Sequence, residues 1–418
     1  MLWECSMFYL CLFLVICCSV ELYVLVKDAG KFASLYHLFR DVMQEKGFVH
    51  TMRKTLSFVT SFFLRKMPVR KNRHQNGVSL AIVIQGGYGD YLLIANWFSY
   101  LRERYIDENI SVAIVYHKSS ALSVFHGTDI KLVDVNSYRS QMYSVEIQIC
   151  TFPILSFSDD GLVKKESPKL WNYIELLRAF NREVQFEKDS RPRLDSLMSA
   201  RSIIQGKKRI QEPDFYNLLE MTEDYKYDLP VMENEAACLE SFGVKKKCYI
   251  LVHRGWDDSN GGDFNVKAWS LVSCGDMLRR LKEKFPGYKI VLFGSSVRQA
   301  PPSDGCDLNL IGKTDLEQVK VLLKYSVCLV DNEGGMVHLR HAVHGGASVV
   351  LFGATSPDFF GYSENINIRK NVCRQWCEWI SADWAKKCIR TGRSCSPCMD
   401  AITTDDVIEA VGKVINSY

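Results

Sequence analysis

Short apolar runs that end in glycine recur along the chain and alternate with segments of helical periodicity. The first run is VSLAIVIQ at 78–85, and a helical pattern follows it from Tyr91 to Arg104. A strand-length run that is apolar at almost every position is typical of a parallel strand buried on both faces. The alternation therefore predicts an α/β protein, in which helices connect and cover parallel strands.

The apolar runs form two blocks, separated by a less regular stretch at about 155–235. The strands predicted for the two blocks are 78–85, 110–116 and 130–135, then 248–253, 289–293, 308–311, 326–330 and 348–352. Two such blocks predict two Rossmann-like domains, at 77–240 and 241–418, with parallel sheets that face a central cleft. Ligands in such sheets bind at the carboxyl ends of the strands.

The overall composition is that of a folded protein, with 418 residues, 47% hydrophobic and 24% charged. It excludes wholesale disorder, a collagen-like repeat and a polytopic membrane protein. The net charge of +4 is uneven, because residues 1–76 hold eleven Lys/Arg against five Asp/Glu. The remaining chain is near neutral and lacks the basic footprint of a nucleic-acid-binding domain. We therefore expect no nucleic-acid partner.

The segment at 1–76 has the character of a membrane-associating region. Residues 7–26 are apolar apart from one serine and Glu21, and twenty helical residues span about 30 Å, the thickness of a bilayer core. Cations follow this segment and none precedes it, which places the bulk of the chain in the cytoplasm. The stretch at 53–73 carries seven cations among apolar residues and suits an anionic membrane surface. A single-pass anchor, a cleaved signal and a buried N-terminal hydrophobic helix are the competing interpretations.

Five of the fifteen cysteines lie close together near the C-terminus. They are Cys373, Cys377, Cys388, Cys395 and Cys398. The spacing C-x3-C-x10-C-x6-C-x2-C resembles a zinc-ligand pattern only loosely. A structural zinc site, a disulfide and a cluster of reduced thiols all remain open, and we assign the cluster no catalytic role.

The first glycine-rich turn, GGYGD, comprises Gly86, Gly87, Gly89 and Asp90 and follows the first strand. A dinucleotide fingerprint would need a third glycine where the chain has Leu92, so this turn does not favour NAD. A carboxylate at a strand end beside the cleft suits a general base. Asp90 also suits the N-cap of the helix that follows.

A second glycine turn, EGGMVH, follows the strand at 326–330. Gly334 and Gly335 permit close approach of the backbone, and free N–H groups at the start of the next helix suit a phosphate. His338 falls on the first helical turn, and Glu333 precedes the glycines. Lys267 follows a polar loop and suits a diphosphate; the alternative is a solvated lysine at a helix start.

Four stretches in order resemble glycosyltransferase family 9, the ADP-heptose:lipopolysaccharide heptosyltransferases and their relatives. They are AIVIQGGYGDYLLIANWFSYL (81–101), NVKAWS (265–270), LIGKTDLEQVKVLLKYSVCLV (310–330) and EGGMVHLRHAVHGGASVVLFGATSP (333–357). The Cys-rich tail is also similar to tails of some members. The resemblance covers 77–418 and is weak between about 105 and 245.

The resemblance implies a GT-B fold, two facing Rossmann-like domains, and assigns roles to single residues. Asp90 matches the catalytic base, Lys267 the lysine on the donor phosphates, and Glu317 the acid that contacts the nucleoside. The donor-phosphate loop corresponds to Glu333, Gly334, Gly335 and His338. Two of these depart from the family pattern, because Glu333 replaces an aspartate and Gly334 a threonine.

The activity implied by the resemblance is inverting transfer of a heptose or similar sugar from a nucleotide-diphosphate donor. The acceptor is a hydroxyl of a lipopolysaccharide-like or other surface glycan or glycolipid, at the cytoplasmic face of the membrane. No D-x-D pair lies in a suitable loop, so we expect no metal and no cofactor in catalysis. Two alternatives are a non-catalytic sugar-nucleotide-binding protein on the same fold, which only the Glu333 substitution supports, and a nucleotide-sugar epimerase of related architecture, which the family-like tail disfavours.

Overall fold

The computed structural model describes residues 77–190, 199, 201–254, 265–295, 300–373, 376–378 and 387–418, which belong to one compact unit. The apolar segment at 7–26 and the basic stretch at 53–73 lie outside this part of the chain. None of the helices described has both the length and the apolar character needed to cross a membrane.

The N-terminal half is built on a five-stranded sheet with the order β3-β2-β1-β4-β5. Its strands are β1 (Ser79–Ile84), β2 (Ser111–Tyr116), β3 (Lys131–Asp134), β4 (Val145–Ile149) and β5 (Pro153–Ser158). Four strands are parallel, and β5 pairs antiparallel with β4 at the edge. All six residues of β1 are buried, which explains its continuous apolar run.

The C-terminal half is built on a six-stranded parallel sheet with the order β11-β10-β9-β6-β7-β8. Its strands are β6 (Tyr249–Val252), β7 (Lys289–Leu292), β8 (Leu308–Asn309), β9 (Cys328–Asn332), β10 (Ser348–Phe352) and β11 (Ile366–Arg369). The three central strands β10, β9 and β6 are buried throughout. The predicted pair of Rossmann-like halves is confirmed, with β4, β5 and β11 as strands that were not predicted.

Helices connect and cover both sheets. They are α1 (Tyr88–Tyr105), α2 (Leu122–Phe125), α3 (Asp160–Glu166), α4 (Pro168–Ser190), α5 (Glu235–Ser241), α6 (Leu271–Lys284), α7 (Leu316–Tyr325), α8 (Gly335–Ala342), α9 (Pro357–Phe360), α10 (Pro397–Asp400) and α11 (Thr404–Asn416). Asp315 and Thr403 cap α7 and α11 by accepting the N–H of Gln318 and Asp406. A 3₁₀ helix at Arg209–Asp214 packs beside α1.

Candidate functional site

The starts of α1 and α8 lie against each other where the two halves meet. A Cβ atom built on Gly89 would lie 3.1 Å from Cδ2 of His338 and 3.5 Å from the Cα of Gly335. A Cβ on Gly335 would lie 3.6 Å from the amide nitrogen of Gly89. Both helices begin after the carboxyl end of a central strand, where ligands bind in sheets of this type. The two glycine turns of the sequence therefore face one another across the cleft.

This contact leads to a prediction for Gly89, the second residue of α1. Replacement by alanine favours the helix by about 0.5–1 kcal/mol but places a methyl group against His338. We expect Gly89→Ala to lose ligand binding in the cleft while the free energy of unfolding changes by less than about 1 kcal/mol. Gly161→Ala is the matched control, because Gly161 is the second residue of α3. A Cβ atom built there would lie 4.0 Å from its nearest neighbour, Oδ1 of Asp159. Equal nucleotide affinity in both variants, measured by calorimetry, would contradict the prediction.

The Asp90 carboxylate is held within the first turn of α1. The helix begins at Tyr88 and its N-cap is Gly87, so the expectation that Asp90 is the N-cap was wrong. Asp90 is instead the third helical residue, and its Oδ2 accepts the N–H of Gly87 at 2.7 Å. Gly86 has φ +135°, and a Cβ there would collide with the Asp90 carboxylate. The turn thus requires glycine at Gly86 to seat this side chain.

Asp90 also forms an ion pair with an arginine that was not predicted from the sequence. Arg209 Nη2 donates to Oδ1 of Asp90 at 2.8 Å, and the Arg209 side chain is 10% exposed against 26% for Asp90. On its other side Arg209 pairs with the fully buried Glu212, three residues later. Arg209 lies in the irregular stretch, and its one sequence signal is this acid at i+3. Asp90 therefore has both oxygens engaged and remains within reach of solvent.

Lys267 lies between two buried carboxyl groups of the C-terminal half. Its Nζ donates to Oε2 of Glu333 at 2.5 Å and lies 4.0 Å from Oε1 of Glu378 and 5.4 Å from the centre of the Phe360 ring. Burial lowers the pKa of Lys267, but Glu333 and Glu378 outweigh it and the pKa is raised. Lys267 does not open a helix, because α6 begins at Leu271 after the N-cap Ser270.

Glu378, next to Cys377, was not predicted, and its local sequence gives no signal of a role. Burial raises its pKa to about 8; Glu333 adds to this rise and Lys267 opposes it. The carboxyl group is therefore protonated at neutral pH and can donate a hydrogen bond. Glu333 behaves oppositely, because the Lys267 ammonium overcomes burial and lowers its pKa. Lys267 is thus paired with one ionised and one neutral acid.

The raised pKa of Glu378 predicts a pH-dependent stability. Between about pH 4.5 and 8 the unfolded chain releases this proton before the folded protein does, so the free energy of unfolding falls as pH rises. Glu378→Gln has no proton to lose, and we expect it to melt higher than the wild type at pH 8. A gain of 1 kcal/mol corresponds to roughly 2–4 °C. Melting curves at pH 5, 6.5 and 8 test this, and a constant difference between the two proteins would contradict it.

His338 is buried in the first turns of α8. Its Nδ1 lies 2.6 Å from the hydroxyl oxygen of Tyr362. Burial lowers the pKa of His338 to about 4, Arg209 contributes to the decrease, and Glu333 and Asp90 oppose it. His338 is therefore neutral at physiological pH and offers a hydrogen bond to a ligand, but no positive charge.

Glu317 lies in the first turn of α7. Its Oε2 pairs with Lys320 Nζ at 2.6 Å, and its side chain is 37% exposed. Burial raises the pKa of Tyr88 to about 12, and the charge of Glu317 adds to that rise. Because Tyr88 is the first residue of α1, Glu317 lies near the start of the helix that carries Asp90.

The C-terminal cysteines are free thiols. Cys377 donates its N–H to the carbonyl of Ala354 at 2.9 Å, and a Cβ on Gly353 would lie 3.3 Å from Sγ of Cys398. Burial raises the pKa of Cys377 to about 11. Across the residues that the structure describes, no group of three or more His, Cys, Asp or Glu side chains is arranged to hold a metal ion. The structural zinc stays a prediction.

The comparison by sequence finds one family and partial relatives. Residues 185–392 match the description "Glycosyltransferase family 9 (heptosyltransferase)". Lipopolysaccharide heptosyltransferase 2 of Escherichia coli K12 is 28% identical over 110 residues, which cover 24% of this chain and 31% of that protein. The chain thus aligns with about a third of the length of this curated relative.

The comparison of structures extends over most of the chain. E. coli ADP-heptose lipopolysaccharide heptosyltransferase II superposes with a TM-score of 0.51 at 15% identity, covering 81% of this chain and 99% of that one. TibC of enterotoxigenic E. coli, described as an iron-containing dodecameric glycosyltransferase, gives 0.52 at 12% identity, covering 82% and 78%. At these identities the likeness concerns the fold, and it confirms the predicted GT-B arrangement.

Proposed function

Because the chain belongs to glycosyltransferase family 9, we propose that it transfers a sugar from a nucleotide-diphosphate donor to a hydroxyl group of a glycan acceptor. One observation carries this proposal: the contact between Gly89 and Gly335 sets two helix starts face to face. On one side of that contact is a solvent-accessible carboxylate, Asp90. On the other is the glycine turn near the buried pair of Lys267 and Glu333.

Asp90 acts in this proposal as the general base. The acceptor hydroxyl attacks the anomeric carbon on the face opposite the nucleotide, which inverts its configuration, and Asp90 takes the hydroxyl proton. The bond between the sugar and the diphosphate breaks, and the nucleotide leaves with the electron pair. General-base catalysis of this kind contributes about 10²–10⁴-fold to a rate. The hydrogen bonds from Gly87 and Arg209 hold the carboxylate in one orientation.

The donor side supplies positive potential for the departing diphosphate. The free N–H groups at the start of α8 and the Lys267 ammonium are suited to this charge. Lys267 donates a hydrogen bond to Glu333, so a bound diphosphate would compete with Glu333 for the ammonium group. Glu317 is placed in the proposal at the nucleoside, and His338 serves as a neutral hydrogen-bonding group.

We extend the proposal to the donor sugar, the acceptor and the location of the protein in the cell. The E. coli lipopolysaccharide heptosyltransferase II that is matched both by sequence and by structure suggests a heptose or similar sugar and a lipopolysaccharide-like acceptor. Residues 77–240 form the acceptor domain and 241–418 the donor domain. The reaction needs no metal and no cofactor. A cytoplasmic donor and the cations of residues 1–76 suit an anionic membrane surface on the cytoplasmic face.

The test is a transfer assay with ADP-, GDP- and UDP-sugars, heptose donors included, and a set of glycan acceptors. We expect one donor to yield product with inverted anomeric configuration by NMR, at the same rate with and without a chelator. Loss of activity with the chelator would contradict metal independence alone. Nucleotide binding without turnover of any donor would favour the non-catalytic alternative.

A further inference from the structure

Lys320 is a fully buried lysine in the middle of α7 whose ammonium group has three oxygen partners. Its Nζ donates to the carbonyl oxygens of Ser123, at 2.9 Å, and Pro230, and to Oε2 of Glu317 at 2.6 Å. An ammonium group has three N–H donors, so these three oxygens satisfy all of them. Lys320 is thus held in one orientation inside the protein.

The three partners come from both halves of the molecule. Ser123 lies in α2 beside the first sheet, and Pro230 lies in the segment that leads to α5. Glu317 belongs, like Lys320, to α7 of the C-terminal half. The ammonium therefore ties the carboxylate of Glu317 to two backbone carbonyls of the preceding half. Separation of the halves would break the contact with Ser123 and leave the Lys320 ammonium less firmly held beside Glu317.

Packing alone does not explain why a lysine occupies position 320. Val319, Val321 and Leu322 are buried, and an apolar side chain at 320 would fill its space without placing a charge in the interior. Burial lowers the pKa of Lys320, whereas the bond to Glu317 opposes that decrease. Glu317 is the charged partner of Lys320 in this group, its side chain is 37% exposed, and its charge acts on Tyr88.

The same group reaches the helix of the general base. The hydroxyl of Ser123 donates to the hydroxyl oxygen of Tyr88 at 3.3 Å, and Tyr88 is the first residue of α1. Asp90 follows two residues later. A continuous series of contacts thus runs from Glu317 through Lys320 and Ser123 to the start of α1.

We propose that Lys320 is a positioning residue that orients Glu317 for the nucleoside of the donor, and that it does so only when the two halves are closed. This inference rests on the proposed function, because it takes Glu317 as the nucleoside contact. Donor recognition is then coupled to closure: the carboxylate is correctly placed only while Ser123 and Pro230 hold the ammonium.

The test compares Lys320→Met with Lys324→Met, a change one turn further along the same helix. Lys324 pairs with Glu235 and is 34% exposed, so the control removes a lysine of the same helix whose ion-pair partner is Glu235 rather than Glu317. Binding of ADP, GDP and UDP is measured by calorimetry, and donor KM and kcat by transfer assay. We expect Lys320→Met to weaken binding of the preferred nucleotide about tenfold, which is the loss of one hydrogen bond to a charged group. Donor KM should rise similarly, with kcat within about threefold and no change in Lys324→Met.

A second pair of variants separates positioning from folding. In a Glu317→Gln background, Lys320→Met should weaken nucleotide binding no further, because the carboxylate it orients is gone. Lys320→Gln replaces Lys320→Met where the latter fails to fold. Wild-type affinity in folded Lys320→Met, or additive losses in the double variant, would overturn the inference. A wild type that binds nucleotide but transfers no sugar contradicts the proposed function alone, and one that binds none of the three nucleotides overturns both.

Discussion

Replacement of Asp90 by asparagine is expected to slow sugar transfer by about 10²–10⁴-fold while the affinity for nucleotide stays that of the wild type. Asparagine has the same shape and keeps an oxygen for the N–H of Gly87, but it cannot take a proton from the acceptor. The rate of sugar transfer should therefore fall in this variant, whereas the affinity for the nucleotide should not change. Single-turnover transfer and calorimetric titration of the nucleotide measure the two.

Asp129→Asn provides the matched control for this change. Asp129 also pairs with an arginine, Arg102, on the surface of the same half, and more than half of its side chain is exposed. We expect that variant to transfer sugar at the wild-type rate. A folded Asp90→Asn protein with a near-normal rate would remove Asp90 from the role of base.

Replacement of Lys267 by methionine is expected to lower kcat/KM for the donor by about 10²–10³-fold, the effect of removing one charge-stabilising group. It also leaves Glu333 and Glu378 without their cation. Removal of one partner of a buried pair costs about 3–5 kcal/mol of folding free energy. A quarter of the Lys267 side chain is exposed, so we expect about 3 kcal/mol. Transfer kinetics and urea unfolding measure the two losses.

A double variant separates the two effects of Lys267. In Lys267→Met/Glu333→Gln the uncompensated charge is gone, so most of the stability should return while transfer stays low. Glu333→Gln alone should weaken donor use less than Lys267→Met does, because the ammonium remains. Full recovery of transfer in the double variant would mean that Lys267 serves stability only.

Most of the strands that were predicted are apolar runs, whereas the strands that were missed carry polar residues within the strand. β1, β6 and β10 are apolar at nearly every position because helices or loops cover both faces. β4 reads VEIQI, and its Glu146 is buried while Gln148 is exposed, so neither an apolar run nor a clean alternation is visible. β11 is only partly buried and carries polar residues, so it also shows no apolar run in the sequence.

In the candidate site, the residues that belong to local sequence patterns were predicted, and those placed by distant contacts were not. The turns at Gly86–Asp90 and Glu333–His338 could be found because each follows a strand and opens a helix, a purely local pattern. Arg209 lies 119 residues beyond its partner Asp90, and Glu378 lies in the Cys-rich tail. Their roles come from tertiary contacts, which no local pattern encodes. The start of α1 was misplaced because glycine at 87 replaces the expected polar cap.

The contact of α1 with α8 brings together two helix ends of the same sign. Each helix start carries about half a positive charge from its aligned peptide dipoles, so the two starts repel one another across the cleft. The Asp90 carboxylate in the first turn of α1 offsets part of this repulsion. An anionic group bound beside the two helix starts would offset more of it, so in the proposed function the diphosphate of the donor favours the contact between the two halves.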